Sequence, residues 1–226
     1  MKPFCVLRIL FGLMVGVLPL FFSTASSAEV LKIVVKDTIQ PITSEYVSRA
    51  LDEAARRKDD AVLIEIDTPG GLMVSTRDII KNILASPVPV ILYVTPSGSW
   101  AASAGYYILQ SADVAAMAPG TNTGAGHPVN LGGEKMDDVL KEKVENDAAA
   151  LMRSVVSKRG RNVEVSESVV RKSTSFTDQE ALSEHLIDYV ASSESDLFRQ
   201  LEGKTVRRFD GRTITLNLVE IGRAHV

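Results

Sequence analysis

The chain has 226 residues, 45% of them hydrophobic and 23% charged, and a net charge of −3. That length and composition suit one globular domain with a real core and exclude two large ones. The acidic balance lacks the basic footprint of a nucleic-acid binder. The single cysteine, Cys5, excludes a disulfide framework and a cysteine metal site.

In chain order, Lys2 and Arg8 precede an apolar run over residues 9–22, followed by Ser26-Ser27-Ala28. This order of charge, apolar run and small residues predicts a secretory signal peptide over 1–28, cut after Ala28. The alternative is an uncleaved anchor helix, but the run is shorter than the roughly 20 residues a membrane span needs. A short β-branched run over 30–35 predicts a first strand, and Thr43 or Ser44 can cap a helix running to Arg57. Residues 61–66 (A-V-L-I-E-I) form a continuous buried-type strand that ends in the turn Asp67-Thr68-Pro69-Gly70-Gly71. A helix is expected over 73–85, a third strand over 88–94, a loop of small residues over 95–102, and a helix starting at Ser103. Residues 113–117 predict a fourth strand, and 119–133 a long loop with five glycines.

A long amphipathic helix is then expected over 134–158, with a core stripe of Met136, Leu140, Val144, Ala148, Leu151 and Val155. Thr177-Asp178-Gln179-Glu180 is a capping box opening a short helix to His185. Residues 186–190 are strand-like, and Asp210-Gly211 marks a hairpin between 207–209 and 213–218. The alternation predicts βαβ units in an α/β fold, with a largely parallel sheet flanked by helices. The last six residues, 221–226, match the translation of a common sequencing-adapter read. They are expected to be a non-native tail, leaving a domain over 29–220.

Chemistry concentrates in the turns that follow strands, where open α/β sheets place their sites. In Trp100-Ala101-Ala102-Ser103-Ala104-Gly105, small neighbours let a substrate backbone approach the serine, and the helix start offers free N–H groups. Ser103 is therefore either an activated nucleophile or an ordinary N-cap. Gly70 and Gly71 either present N–H groups to an oxyanion or simply turn the chain. A nucleophilic serine needs a base. His185 ends a capped helix and reads as structural, and His225 lies in the suspect tail. His127, in the glycine-rich loop, remains available. Lys141 has acids at i±4 and reads as solvated, whereas Lys143 borders the core stripe and is expected to be partly desolvated. Asp147, one turn on, works against that by stabilising the charged form. No metal cluster or nucleotide loop is evident, so no cofactor is expected.

Taken together these segments resemble the NfeD family, membrane-bound serine proteases of the Clp class with the Clp/crotonase fold. The motifs that carry the resemblance are Asp67-Thr68-Pro69-Gly70-Gly71, Ala101-Ala102-Ser103-Ala104-Gly105, Thr121-Asn122-Thr123-Gly124-Ala125-Gly126-His127-Pro128, Lys143-Val144-Glu145-Asn146-Asp147-Ala148-Ala149-Ala150, and Arg159-Gly160-Arg161-Asn162. The resemblance implies a Ser-Lys dyad of Ser103 and Lys143, with oxyanion donors at Gly71 (or Gly70) and Ala104. It also implies action outside the cytoplasm, assembly as a homodimer or larger, and cleavage of apolar segments of stomatin-like membrane proteins. Long family members continue into membrane helices and a small β-barrel domain, neither of which is evident in this sequence. Three other readings stand beside this one. Clp proteases use a histidine at about the spacing of His127, which gives a Ser-His peptidase. The same groove gives a non-catalytic adaptor for stomatin-like partners. A crotonase-type acyl-CoA enzyme is opposed by the signal peptide.

Overall fold

The structure, a computed structural model, describes residues 29–129 and 137–218. The expected leader over 1–28, the expected helix residues Glu134–Met136 and the tail over 221–226 lie outside the described residues. The elements are β1 (Val30–Lys36), α1 (Pro41–Arg57), β2 (Ala61–Asp67), α2 (Met73–Ala85), β3 (Val90–Val94), β4 (Trp100–Ala102), α3 (Ala104–Ser111), β5 (Val114–Met117), β6 (Asn122–Gly124), α4 (Asp138–Arg159), α5 (Val163–Lys172), β7 (Ser175–Thr177), α6 (Asp178–Ser183), β8 (Tyr189–Val190), α7 (Glu194–Leu201), β9 (Thr205–Arg207) and β10 (Thr213–Thr215).

The main sheet has the order β1-β2-β3-β5-β8, and every pairing in it is parallel. Both faces are covered, which is why β2 and β3 read as continuous apolar runs. One face carries Leu31, Ile33, Ile64, Ile66, Leu92 and Val94 against α1, α2 and α3. The other carries Leu63, Ile91 and Tyr93 against Leu197, Phe198 and Leu201 of α7. A further apolar cluster stacks α4 and α5 on the outer side of α3, through Tyr106, Tyr107, Met152, Val156 and Val169. All eight residues of α3 are consequently buried. A second sheet, β4-β6-β7, lies at the carboxyl end of β2, where Thr68 bridges in parallel to Ala101.

The expected α/β fold with a largely parallel sheet is the observed one. The helix expected over 73–85 forms with those bounds. The first helix starts earlier than expected. Pro41 takes the first helical position, where its missing N–H costs nothing. Gln40 is the cap, and Thr43 answers it as the third residue of a capping box. The third strand begins at Val90 rather than Val88, because Pro87 and Pro89 lack the N–H groups a central strand must donate. Two stretches assigned to loop contain strands, β4 and β6. The helix α5, capped by the Asn162 side chain on the Val165 N–H at 3.1 Å, was not expected at all.

The core stripe expected on the long helix holds only from Ala148 onward. Leu140 and Val144 are exposed rather than buried, and so is Val139. The reason is length. At ~1.5 Å per residue α4 is about 33 Å long, against about 12 Å for α3 and about 15 Å for α5. A long helix stacked on short ones overruns them.

Candidate active site

Ser103 stands between β4 and α3 as the N-cap of α3, but no side-chain cap hydrogen bond ties down its hydroxyl. Its backbone is at φ 51° and ψ −114°, a conformation that non-glycine residues rarely adopt. Such a backbone persists only where the surroundings over-determine it, and here they do. The Ser103 N–H donates to the Gly124 carbonyl at 2.8 Å, and its carbonyl accepts from the Tyr106 N–H at 3.0 Å. On the N-terminal side, β4 lies between β6, which it pairs in parallel, and the strand end at Thr68. The Thr68 N–H donates to the Trp100 carbonyl at 2.8 Å, and the Ala102 N–H donates back to the Thr68 carbonyl at 3.1 Å.

The turn after β2 presses against this serine. A Cβ on Gly70 would lie 2.7 Å from the Ser103 Cβ and 3.1 Å from its Oγ, and Gly70 has φ +124°. A Cβ on Gly71 would collide with the Ile39 backbone at 2.1 Å. Only glycine fits either position. The Gly70 N–H donates to Thr68 Oγ1 at 3.2 Å, and the Gly70 carbonyl accepts from the Ile39 N–H at 2.8 Å. The N–H groups of Gly71 and Ala104 carry no hydrogen bond among the described residues. Gly71 directly follows the glycine that presses on Ser103, and Ala104 directly follows Ser103 at the helix start. The alternative donor Gly70 is the one whose N–H is already engaged.

Of the two bases weighed, His127 is half-buried, and its Nδ1 lies 3.0 Å from the Val170 carbonyl of α5. That contact requires Nδ1 to carry a proton and to donate it to the carbonyl. The group orienting the ring is thus a backbone carbonyl, not a carboxylate. Lys143 lies on the overhanging turns of α4 and is exposed there, so among the described residues nothing provides the partial desolvation expected from the helix phase. Asp147 does not pair with it. The Asp147 carboxylate reaches across to Arg77 of α2. The acids expected around Lys141 are also engaged elsewhere: Asp137 caps α4, accepting from the Val139 and Leu140 N–H groups at 2.9 and 3.1 Å, and Glu145 pairs with Arg171. His185 is exposed, and its carbonyl accepts from the Asn162 N–H.

Sequence reasoning missed the residues that hold the glycine-rich segment beside the serine. Tyr107 donates from its hydroxyl to the Gly126 carbonyl at 2.7 Å, and Thr123 Oγ1 donates to the Ala101 carbonyl at 2.8 Å. Burial pushes the Tyr107 hydroxyl well above its usual range, so it stays a donor. In the sequence Tyr107 stood out only as one polar tip among several on a mainly apolar helix, and Thr123 as one small residue in a loop. Among the described residues no group of acids, histidines or cysteines could hold a metal ion.

Residues 29–204 match the N-terminal domain of NfeD1b. The chain belongs to this family. It is 35% identical over 190 residues to the membrane-bound protease PH1510 of Pyrococcus horikoshii, covering 83% of this chain and 43% of that protein. To the membrane protein NfeD1b of Bacillus subtilis it is 35% identical over 113 residues, covering 50% of this chain and 25% of that one. The chain thus spans less than half the length of these relatives. Among solved structures, it superposes on the 1510-N membrane-bound stomatin-specific protease, a lysine-to-alanine variant holding a substrate peptide, with a TM-score of 0.80 and 31% identity. That superposition covers 88% of this chain and 91% of the other. A serine-to-alanine variant of 1510-N superposes equally well, with a TM-score of 0.80 and 89% of this chain covered. ClpP1 of Listeria monocytogenes, at 19% identity and a TM-score of 0.59 over 72% of this chain, shares the fold.

Proposed function

We propose that this domain is a serine endopeptidase in which Ser103 is the nucleophile and Lys143 the general base. The observation that carries the reading is the Ser103 elbow. A strained serine at a helix start, packed on Gly70 and flanked by the unengaged N–H groups of Gly71 and Ala104, is what acyl transfer needs. Ser103 Oγ attacks the scissile carbonyl while its proton passes to the neutral Lys143 amine. The developing oxyanion accepts hydrogen bonds from Gly71 and Ala104. Lys143 then protonates the departing amine, and a water molecule hydrolyses the acyl-serine by the same route in reverse.

A lysine base must shed its proton, and removal from water favours that. Lys143 shares the overhang of α4 with exposed Val139, Leu140 and Val144. An apolar substrate lying on those side chains would exclude water around the amine, which fits a preference for apolar segments. A relative whose name specifies stomatin, and whose lysine-to-alanine variant was captured with a peptide, supports stomatin-like membrane proteins as substrates. Action outside the cytoplasm on a membrane-associated target, as a homodimer or larger assembly, completes the proposal. No described helix is long and apolar enough to cross a membrane.

The test uses an apolar peptide from the C-terminal region of a stomatin-like protein, incubated with the parent and with Ser103→Ala, Lys143→Ala and His127→Ala. Cleavage lost in the first two and kept in the third is the expected result. Loss in His127→Ala with retention in Lys143→Ala would transfer the base role to the histidine. Binding without cleavage by the parent would favour an adaptor.

A further inference from the structure

We infer that Arg161, with Arg159 beside it, is a positioning residue for Ser103, acting through α3 as a restraint on the far end of that helix. The inference rests on reading Ser103 as the nucleophile. A serine held at φ 51° can relax if the helix that starts at it slides or turns. Its N-terminal neighbours are fixed by the β4 pairings, so α3 is the element free to yield unless its other end is held.

That end is held by the Arg159-Gly160-Arg161-Asn162 turn between α4 and α5, a motif with no part in the chemistry above. The last carbonyls of a helix lack partners within it. Here Arg161 Nη1 donates to the Gln110 carbonyl at 2.8 Å and Nη2 to the Ala112 carbonyl at 3.2 Å. Arg159 Nε donates to the Ser111 carbonyl at 2.8 Å. The two guanidiniums are fixed in turn by carboxylates: Arg161 Nη2 by Asp188 Oδ2 at 2.6 Å, and Arg159 by Asp113, which also binds Arg208 Nη1 at 2.6 Å. Gly160, at φ 73°, is the left-handed residue that lets both arginines of this turn face α3. The Gln110 side chain adds a bond to the Leu186 carbonyl at 2.9 Å.

Fold stability alone is a poor reason for this arrangement. Buried guanidiniums cost desolvation that well-packed apolar groups avoid, and two donor atoms stay unpaired here, Arg159 Nη2 and Arg161 Nε. What the planar fork supplies is fixed geometry. Arg161 meets three acceptors in set directions, which a lysine ammonium on a flexible stem does not reproduce.

The experiment compares the full chain with Arg161→Lys and Arg159→Lys, counting active serines by titration with a fluorophosphonate probe and reading apolar-peptide cleavage per titrated serine. Titration restricts the reading to folded sites, so lost stability by itself leaves kcat per site unchanged. The expected result is a fall in kcat per site on the order of 10- to 100-fold, as for a nucleophile misplaced by a fraction of an ångström. KM should stay within about two-fold, since the substrate-binding surface is untouched. The rate of phosphonylation should fall in parallel. Per-site kcat within about two-fold of the parent in both variants would overturn the inference and leave the arginines a purely structural role. If Arg161→Lys yields no folded protein, Arg159→Lys decides by the same criterion. A parent that neither reacts with the probe nor cleaves the peptide would sink the nucleophile reading itself, a separate outcome.

Discussion

The two sides of the proposed dyad are built in opposite ways. Around Ser103 the backbone is committed: its N–H and carbonyl are bonded, its neighbouring glycine is in contact, and the helix behind it is buried along its whole length. Around Lys143 the helix overhangs its neighbours, with Val139, Leu140 and Val144 exposed and Asp147, one turn further on, paired with Arg77 instead. The proposed nucleophile is therefore held in place by its own chain, whereas the proposed base stands exposed on the overhang. Substitutions near the serine should change stability and activity together. Substitutions near the lysine should change activity alone.

The largest effect is expected at the far end of the serine helix. Asp113→Ala leaves the buried guanidiniums of Arg159 and Arg208 without their shared carboxylate, and chemical denaturation should show a loss of about 3–5 kcal/mol. A loss below about 1 kcal/mol would mean the arginines find other partners and the serine side is less committed than described. Next comes Gly70→Ala. A methyl group 2.7 Å from the Ser103 Cβ, on a backbone with φ +124°, must displace the serine. Peptide cleavage should drop about 100-fold or more, an effect that unchanged kcat would contradict.

Tyr107→Phe removes the hydroxyl that holds Gly126 at 2.7 Å, at an expected cost of about 1–2 kcal/mol. It also carries a pH signature. The buried Tyr107 and Tyr106 hydroxyls are raised above the ordinary value of 10.0. Above that pH the unfolded chain releases these protons while the folded chain retains them, so stability is lost as pH rises. The melting temperature should fall from about pH 10 upward, and less steeply in Tyr107→Phe. The smallest stability effect belongs to the lysine side. Val139→Ser and Leu140→Ser should alter stability by less than about 0.5 kcal/mol while weakening cleavage of apolar peptides. A marked drop in melting temperature would show that the overhang is packed in solution, and would break the contrast between the two sides.

Much of the fold was legible because its signals are local. Continuous β-branched runs gave β2 and the core of β3, a capping box gave α6, and the glycine turn after β2 marked the carboxyl end of the sheet. The elements missed were those that local pattern does not specify. Three-residue strands such as β4 and β6 exist because they pair with each other and with Thr68, and a run such as Trp100-Ala101-Ala102 has no alternation to reveal it. The helical period of α4 placed Leu140, Val144, Ala148 and Val155 on one stripe, yet only the last two are buried. A period defines a face without defining what lies against it.

The sequence by itself determined the parallel α/β architecture, the order of the main-sheet strands and the helices that follow β1 and β2, and the small residues that Ser103 and its neighbours require. Hydrophobic runs, caps and glycine turns act over a few residues, so they can be read one segment at a time. Tertiary structure alone decided that the Gly70 N–H is engaged while the Gly71 N–H is not, that Asp147 turns to Arg77 rather than Lys143, and that the arginines of the α4–α5 turn close the far end of α3. Each of those outcomes pits one hydrogen-bond or charge partner against another across long stretches of chain, and only the packing of the folded sheet and helices sets which partner is within reach.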